Sequence, residues 1–158
     1  MIVATGADTK WLGVPNEGKL RGRGLSSCAP CDAFFFKGKP VAVVGGGDSA
    51  MEETQVIAGV SPDVVLIHRR DTFRAQHASV EKVKALPNVR FLYNTQVVDV
   101  LGETSLTGLH LYTESVSPNQ GAKTFDELVA KFGGTKVDKP ASAAGKEWIL
   151  PRSGLFVA

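Results

Sequence analysis

The chain has two cysteines, and they stand three apart in Ser26-Ser27-Cys28-Ala29-Pro30-Cys31-Asp32. A pair so close is a poor structural staple, so the spacing asks for a chemical use. One use is redox: the two sulfurs can close a small disulfide that opens again on reduction. A serine ahead of a short helical segment predicts an N-cap, with both sulfurs in the first helical turn. Unpaired N–H groups and the helix dipole would stabilise thiolates there and lower their pKa. Asp32, next to the second sulfur, is the candidate proton shuttle for a departing thiolate. Half of a zinc site is the other chemistry that C-x-x-C serves. It lacks ligands, because no second cysteine pair exists and the three histidines are scattered. No metal is expected, and inert buried cysteines are the remaining reading.

The second constellation is Gly45-Gly46-Gly47-Asp48-Ser49-Ala50, in the spacing G-x-G-x-x-A, followed by His68-Arg69-Arg70 and Arg74. Gly45 would permit the tight turn, Gly47 would admit the backbone to a pyrophosphate, and Ala50 would let helix pack on strand. An NAD site carries Asp or Glu about twenty residues beyond the glycines, to accept from the ribose 2′-hydroxyl. Here arginines stand instead. Guanidinium groups grip a 2′-phosphate with charge-assisted, often bidentate bonds, whereas a carboxylate would repel it. The residue types therefore point to NADP(H).

Such a motif works only between particular elements. Val41–Val44 and Val64–Ile67 read as buried strands, with a helix over Met51–Ala58 between them, the βαβ frame of a dinucleotide site. The predicted fold class is α/β: a Rossmann-like βαβ domain with a central parallel sheet plus a β-meander. Periodicity predicts a helix over Ala75–Leu86 and strands over Val89–Leu92, Val97–Leu101, Leu106–Tyr112, Trp148–Leu150 and Leu155–Val157. Met1–Ala7 reads as a strand entering a small-residue turn. Gly13–Lys19 imitates the G-x-x-x-x-G-K phosphate loop, but Leu20 stands where the magnesium-binding hydroxyl belongs. Thr124-Phe125-Asp126-Glu127 is a capping box opening an amphipathic helix that Gly133-Gly134 would end. The region 114–146 holding that helix reads as an insertion folded back on the domain, its last part from Lys136 a mobile linker. His77 and His110 are given no role.

At 158 residues with a net charge of +2, the chain suits one soluble domain and implies no general nucleic-acid or membrane partner. No apolar run is long enough to span a bilayer, and no secretion signal opens the chain. The cytosol, hence a cytoplasmic protein, is the expectation.

Taken together, Ala4–Ala7 (ATGA), Cys28–Asp32 (CAPCD), Gly45–Glu53 (GGGDSAMEE) and His68–Ala75 (HRRDTFRA) make a chain that resembles the NADPH-binding domain of the low-molecular-weight thioredoxin reductases. The resemblance covers residues 1 to about 113 and 147–158. It implies an enzyme in which electrons pass from NADPH to FAD, then to the dithiol and then to thioredoxin. On that resemblance Cys28 would attack the partner's disulfide, Cys31 would face the flavin and Asp32 would be the acid–base residue. Gly45, Gly46, Gly47, Asp48, Ser49 and Ala50 would cradle the pyrophosphate, and His68, Arg69, Arg70 and Arg74 would hold the 2′-phosphate.

The expected domain is 1–158, with a core of about 34–150 and with 1–33 and 151–158 including segments that link to an FAD domain absent from this chain. Pro30, where the family often has another residue, would stiffen the dithiol turn. Two alternatives are a stand-alone NADP-binding redox sensor and the equivalent domain of a related flavoprotein disulfide reductase.

Overall fold

Three short strands at the centre of the fold, Val41–Val44, Val64–Ile67 and Gly154–Val157, are buried almost throughout, which is why they read as apolar runs and not as alternating ones. A computed structural model describes residues 1–4, 8–137 and 146–158. The chain begins with α1 (Glu17–Leu20), β1 (Leu25–Ser26), α2 (Ala29–Asp32) and a 3₁₀ turn over Ala33–Phe36. The dinucleotide frame follows as β2 (Val41–Val44), α3 (Asp48–Ala58), β3 (Val64–Ile67), α4 (His77–Lys84) and β4 (Val89–Leu92). Then come β5 (Thr95–Leu101), β6 (Gly108–Thr113), a 3₁₀ turn over Pro118–Gln120, α5 (Phe125–Phe132), β7 (Thr135–Lys136), β8 (Lys146–Pro151) and β9 (Gly154–Val157).

Two sheets result. One has the order β1-β9-β2-β3-β4 and is parallel throughout; the other, β5-β6-β8-β7, is antiparallel. Period-two alternation sorts the parallel strands between two cores. Ala42, Val65, Ile67, Leu92, Leu155 and Val157 turn to the antiparallel sheet. Val41, Val43, Val64, Leu66, Val89 and Phe156 turn to the helical layer that includes α3 and α4. The strands β1 and β9, outside the expected core of about 34–150, are both built into the parallel sheet. All four residues of β9 are buried.

Several sequence expectations change: β5 starts before Val97, β6 starts after Leu106, and β8 extends beyond Trp148–Leu150 at both ends. Met1, Ile2 and Val3 form no strand and lie exposed; an extended run needs a neighbour for its hydrogen bonds, and none of the described strands pairs with it. The rest of the predicted small-residue turn, Thr5–Ala7, lies outside the described residues. Helix α3 begins at Asp48, ahead of the apolar periodicity that marked Met51, because Asp48 and Ser49, which open its first turn, are polar and exposed. Helix α4 covers His77–Lys84, narrower than Ala75–Leu86.

The capping box forms with its return bond on Lys123, one residue before the N-cap Thr124. Thr124 Oγ1 accepts from the Glu127 amide at 3.2 Å, the Glu127 carboxylate accepts from the Lys123 amide at 2.8 Å, and Gly133 ends α5 in the left-handed region at φ 70°. The apolar face of α5 folds back onto the domain, Phe132 meeting buried Trp148 edge-on at 6.3 Å. Residues 138–145, most of the expected linker, lie outside the described set. Among the described residues no helix is long and apolar enough to cross a membrane.

Candidate functional site

In the parallel sheet, β2 has β3 on one side and β9 on the other, so the strand order reverses at its carboxyl end. Open α/β sheets bind ligands at such a reversal. A cleft of about 460 Å³ opens there, lined by Gly45, Gly46, Gly47, Ser49 and Ala50. His68, Arg69 and Arg74 line it as well. The sequence motif therefore surrounds one cavity.

The glycines act through missing side chains, not through unusual backbone. None of Gly45, Gly46 or Gly47 has a positive φ, so what Gly45 gives the turn is close approach and not left-handed backbone. A Cβ on Gly45 would meet the Ala50 Cβ at 2.7 Å and the Ala158 carbonyl oxygen at 2.8 Å. One on Gly46 would lie 2.1 Å from the His68 ring. At Gly47 a Cβ would meet no protein atom within 4 Å; that side faces open space, as an approach path for a ligand should. Gly47 is the N-cap of the eleven-residue α3, whose first-turn N–H groups and dipole favour an anion.

Behind the turn, His68 is 7% exposed. Its Nε2–H donates to the Thr72 carbonyl at 3.0 Å and its ring lies 5.1 Å from that of Phe73. The carbonyl can only accept, which fixes the proton on Nε2. The Gly46 carbonyl accepts from the amides of Arg74 at 2.7 Å and Ala75 at 3.1 Å. The arginine-bearing loop is thereby tied to the glycine turn by backbone.

Arg69 and Arg74 are exposed at the cleft. Arg70 is exposed but is not among the residues lining it; its carbonyl accepts from the Asn94 amide. Asp48 also lies outside the lining. Its carboxylate accepts from the Gln76 amide at 2.9 Å and so joins the start of α3 to that of α4.

Burial lowers the His68 pKa, and Arg69 and Arg70 add to the shift, while the Thr72 and Gly45 backbone, which favours the protonated ring, opposes it. The ring is therefore neutral in the fold at neutral pH. The folded value lies below the unfolded value of about 6.5, so this contribution is complete above about pH 6.5 and is lost as pH falls through the folded value. Urea titrations at pH 7.5 and 5.5 should show the wild type losing more stability on acidification than His68→Gln; parallel losses would refute the assignment.

The cleft also takes in Lys10, Trp11, Leu12, Thr95, Gln96 and Val97, none of which the motifs singled out. The 10–13 segment is held there by Glu17, only 2% exposed, whose carboxylate accepts from the amides of Leu12 at 2.7 Å and Gly13 at 2.9 Å. The phosphate-loop mimic thus spends amides of its own loop on a side chain of the protein.

The dithiol lies on the short α2, and Cys28 and Cys31 form a disulfide with Cα atoms 5.3 Å apart. Cys28 is half-buried and Cys31 exposed. The N-cap of α2 is Cys28 itself, not a serine. The Ser26 hydroxyl donates to Asp32 Oδ2 at 2.6 Å and accepts from the Cys28 amide at 3.2 Å. The free amides expected of this turn are also missing. Ala29 N–H donates to the Glu53 carboxylate at 2.9 Å, Cys31 N–H to the Cys28 carbonyl at 3.2 Å, and Pro30 has no N–H. Glu53 sits on α3 five residues past Asp48, about 7.5 Å along the axis, so one rigid helix serves both the cleft and the dithiol turn. Glu53 escapes a sequence reading because its partner, the Ala29 amide, lies 24 residues away and beyond any local spacing rule.

Comparison with known proteins agrees with this geometry. Residues 1–154 match the family described as pyridine nucleotide-disulphide oxidoreductase. A thioredoxin reductase of Streptomyces coelicolor is 47% identical over 111 residues, 70% of this chain and 34% of that protein. A glucosaminate ammonia-lyase of Pseudomonas fluorescens is 42% identical over 160 residues, 99% of this chain and 45% of that one. The crystal structure of a thioredoxin reductase from Streptococcus pyogenes superposes with a TM-score of 0.75 at 28% identity, over 97% of this chain and 41% of that one. The chain thus spans between a third and a half of the length of these relatives.

Proposed function

Since this chain belongs to the pyridine nucleotide-disulphide oxidoreductase family, we propose that it is the NADPH-binding and dithiol-bearing part of a thioredoxin-disulfide reductase. The observation that carries this reading is the pairing, through α3, of an arginine-edged glycine cleft with the Cys28–Cys31 disulfide. In the proposal, residues 1–158 form one NADPH-binding unit. FAD is held by a part of the protein outside these residues, and 1–33 and 151–158 include the connections to it.

The cleft fits a phosphorylated dinucleotide. Gly45 and Gly46 leave no room for side chains, Gly47 presents bare backbone, Ser49 and Ala50 open the helix, and Arg69 and Arg74 supply positive charge at one edge. His68 and Asp48 support the cradle from behind, and Arg70 contributes charge from outside the lining. NADPH would supply a hydride and the flavin would pass its electron pair to sulfur.

The chain's own chemistry is disulfide exchange. The reduced pair carries two electrons; the Cys28 thiolate attacks one sulfur of a thioredoxin disulfide and displaces the other as a thiolate. Asp32 supplies the proton that the leaving sulfur takes up. Cys31 then attacks the Cys28 sulfur, closing the disulfide again and releasing thioredoxin with both thiols.

The test separates the two halves of the proposal. The chain, reduced with dithiothreitol and desalted, should reduce thioredoxin in a single turnover, one disulfide per chain. Supplied instead with NADPH and thioredoxin but no flavoprotein, it should give no sustained NADPH oxidation, because hydride cannot pass directly to a sulfur pair. Failure of the first result removes the dithiol assignment, and sustained oxidation in the second removes the need for a flavin partner.

A further inference from the structure

Reactive cysteines at helix starts are made acidic by free amides and nearby cations. Around Cys28 and Cys31 the structure does the reverse. The Cys28 amide is taken by Ser26, the Ala29 amide by Glu53, and those of Cys31 and Asp32 by the Cys28 carbonyl, while Pro30 has none. Two carboxylates bond this segment, Asp32 of α2 through the Ser26 hydroxyl and Glu53 of α3 through the Ala29 amide, and Glu52, next to Glu53 in sequence, is exposed. The cation sharing a cleft with Ser26 and Asp32 is Lys39, whose ammonium donates to the Phe35 carbonyl at 3.1 Å.

We infer that Glu53 is a positioning residue that keeps the Cys28/Cys31 pair strongly reducing, by occupying the Ala29 amide and holding a negative charge against the dithiol turn. A reduced sulfur here finds no backbone donor, and its negative form faces like charge, so the reduced state gains nothing from ionisation. Dithiols whose reduced form is stabilised are oxidants; one denied that stabilisation gives its electrons away. Burial pushes the Glu53 carboxyl above its ordinary pKa, against the opposing effect of the Ala29 bond, as a partly desolvated carboxylate held at a fixed post should show. The inference rests on the redox-dithiol reading of the preceding section.

The test is equilibration of the chain with reduced and oxidised dithiothreitol, counting protein thiols. Two electrons and two protons convert the disulfide to two thiols while dithiothreitol closes to its cyclic disulfide. Glu53→Gln keeps an acceptor for the Ala29 amide but drops the charge. It should move the equilibrium about tenfold toward the reduced protein, about 30 mV for a two-electron couple. Its thiols should react with iodoacetamide at lower pH, the midpoint falling by about one unit. Glu53→Ala, which also frees the amide, should move both further. A Glu53→Gln protein that stays folded, with both readouts within about threefold of wild type, overturns the inference. A wild-type pair that fails to cycle reversibly overturns the dithiol reading instead, so the two failures are distinguishable. Should Glu53→Ala fail to fold, the Gln variant decides alone.

Discussion

Replacing Arg69 and Arg74 together with alanine is expected to weaken NADPH binding by about a hundredfold or more, and NADH binding by less than about threefold. Each guanidinium can give the 2′-phosphate a charge-assisted bond worth about 1.5–3 kcal/mol. Both side chains are exposed, so screening by solvent and salt holds the sum near the lower end, about 3 kcal/mol. NADH lacks the phosphate and loses only weak contacts. Arg70→Ala, outside the cleft lining, should cost NADPH far less. Raising ionic strength should narrow the preference in the wild type and leave the double variant unchanged. Parallel calorimetric titrations with the two cofactors read all of this; equal losses for NADPH and NADH in the double variant would mean that these arginines only shape the loop.

What made this site legible was its locality. The glycine spacing, the apolar runs at Val41–Val44 and Val64–Ile67 and the arginines at the tip of β3 lie within one βαβ unit, where sequence distance dictates spatial distance. Parallel strands buried on both faces also declare themselves by composition alone, and β2, β3 and β4 have the predicted bounds. The illegible parts are those that long-range packing decides. Nothing near Lys10, Trp11 and Leu12 says that they line the cleft; that follows from the Glu17 carboxylate pinning their loop. The amides of α2 are consumed by Ser26 and by a glutamate 24 residues away. Their availability, and with it the expected acidity of the thiols, could not be read from the C-x-x-C spacing. The motif places Asp48 at the start of α3 but does not say that its carboxylate meets an amide 28 residues on. Motif membership locates a residue without saying which way it faces.

The other large effect belongs to Gly46. Gly46→Ala is expected to destabilise the protein by about 2–4 kcal/mol and to weaken NADPH binding at least about tenfold. The added methyl would sit 2.1 Å from the His68 ring. That ring cannot swing aside cheaply, because it is buried, packed on Phe73 and bonded to the Thr72 carbonyl. Moving it gives up that bond, worth about 1 kcal/mol, on top of an overpacking cost of about 1–3 kcal/mol. The 69–74 loop hangs from the same Gly46 carbonyl, so any shift there misplaces Arg69 and Arg74. Gly47→Ala is the contrast: with no protein atom in its way, it should cost within about 1 kcal/mol of stability and yet impair NADPH binding, since the bare backbone there faces the ligand's approach. Removing the obstruction should rescue the first variant. Gly46→Ala combined with His68→Ala should be less destabilised than the two singles summed, by about 1 kcal/mol or more. Urea titration of the four proteins measures this coupling, and strict additivity would show that the His68 ring does not limit the space behind the glycine turn.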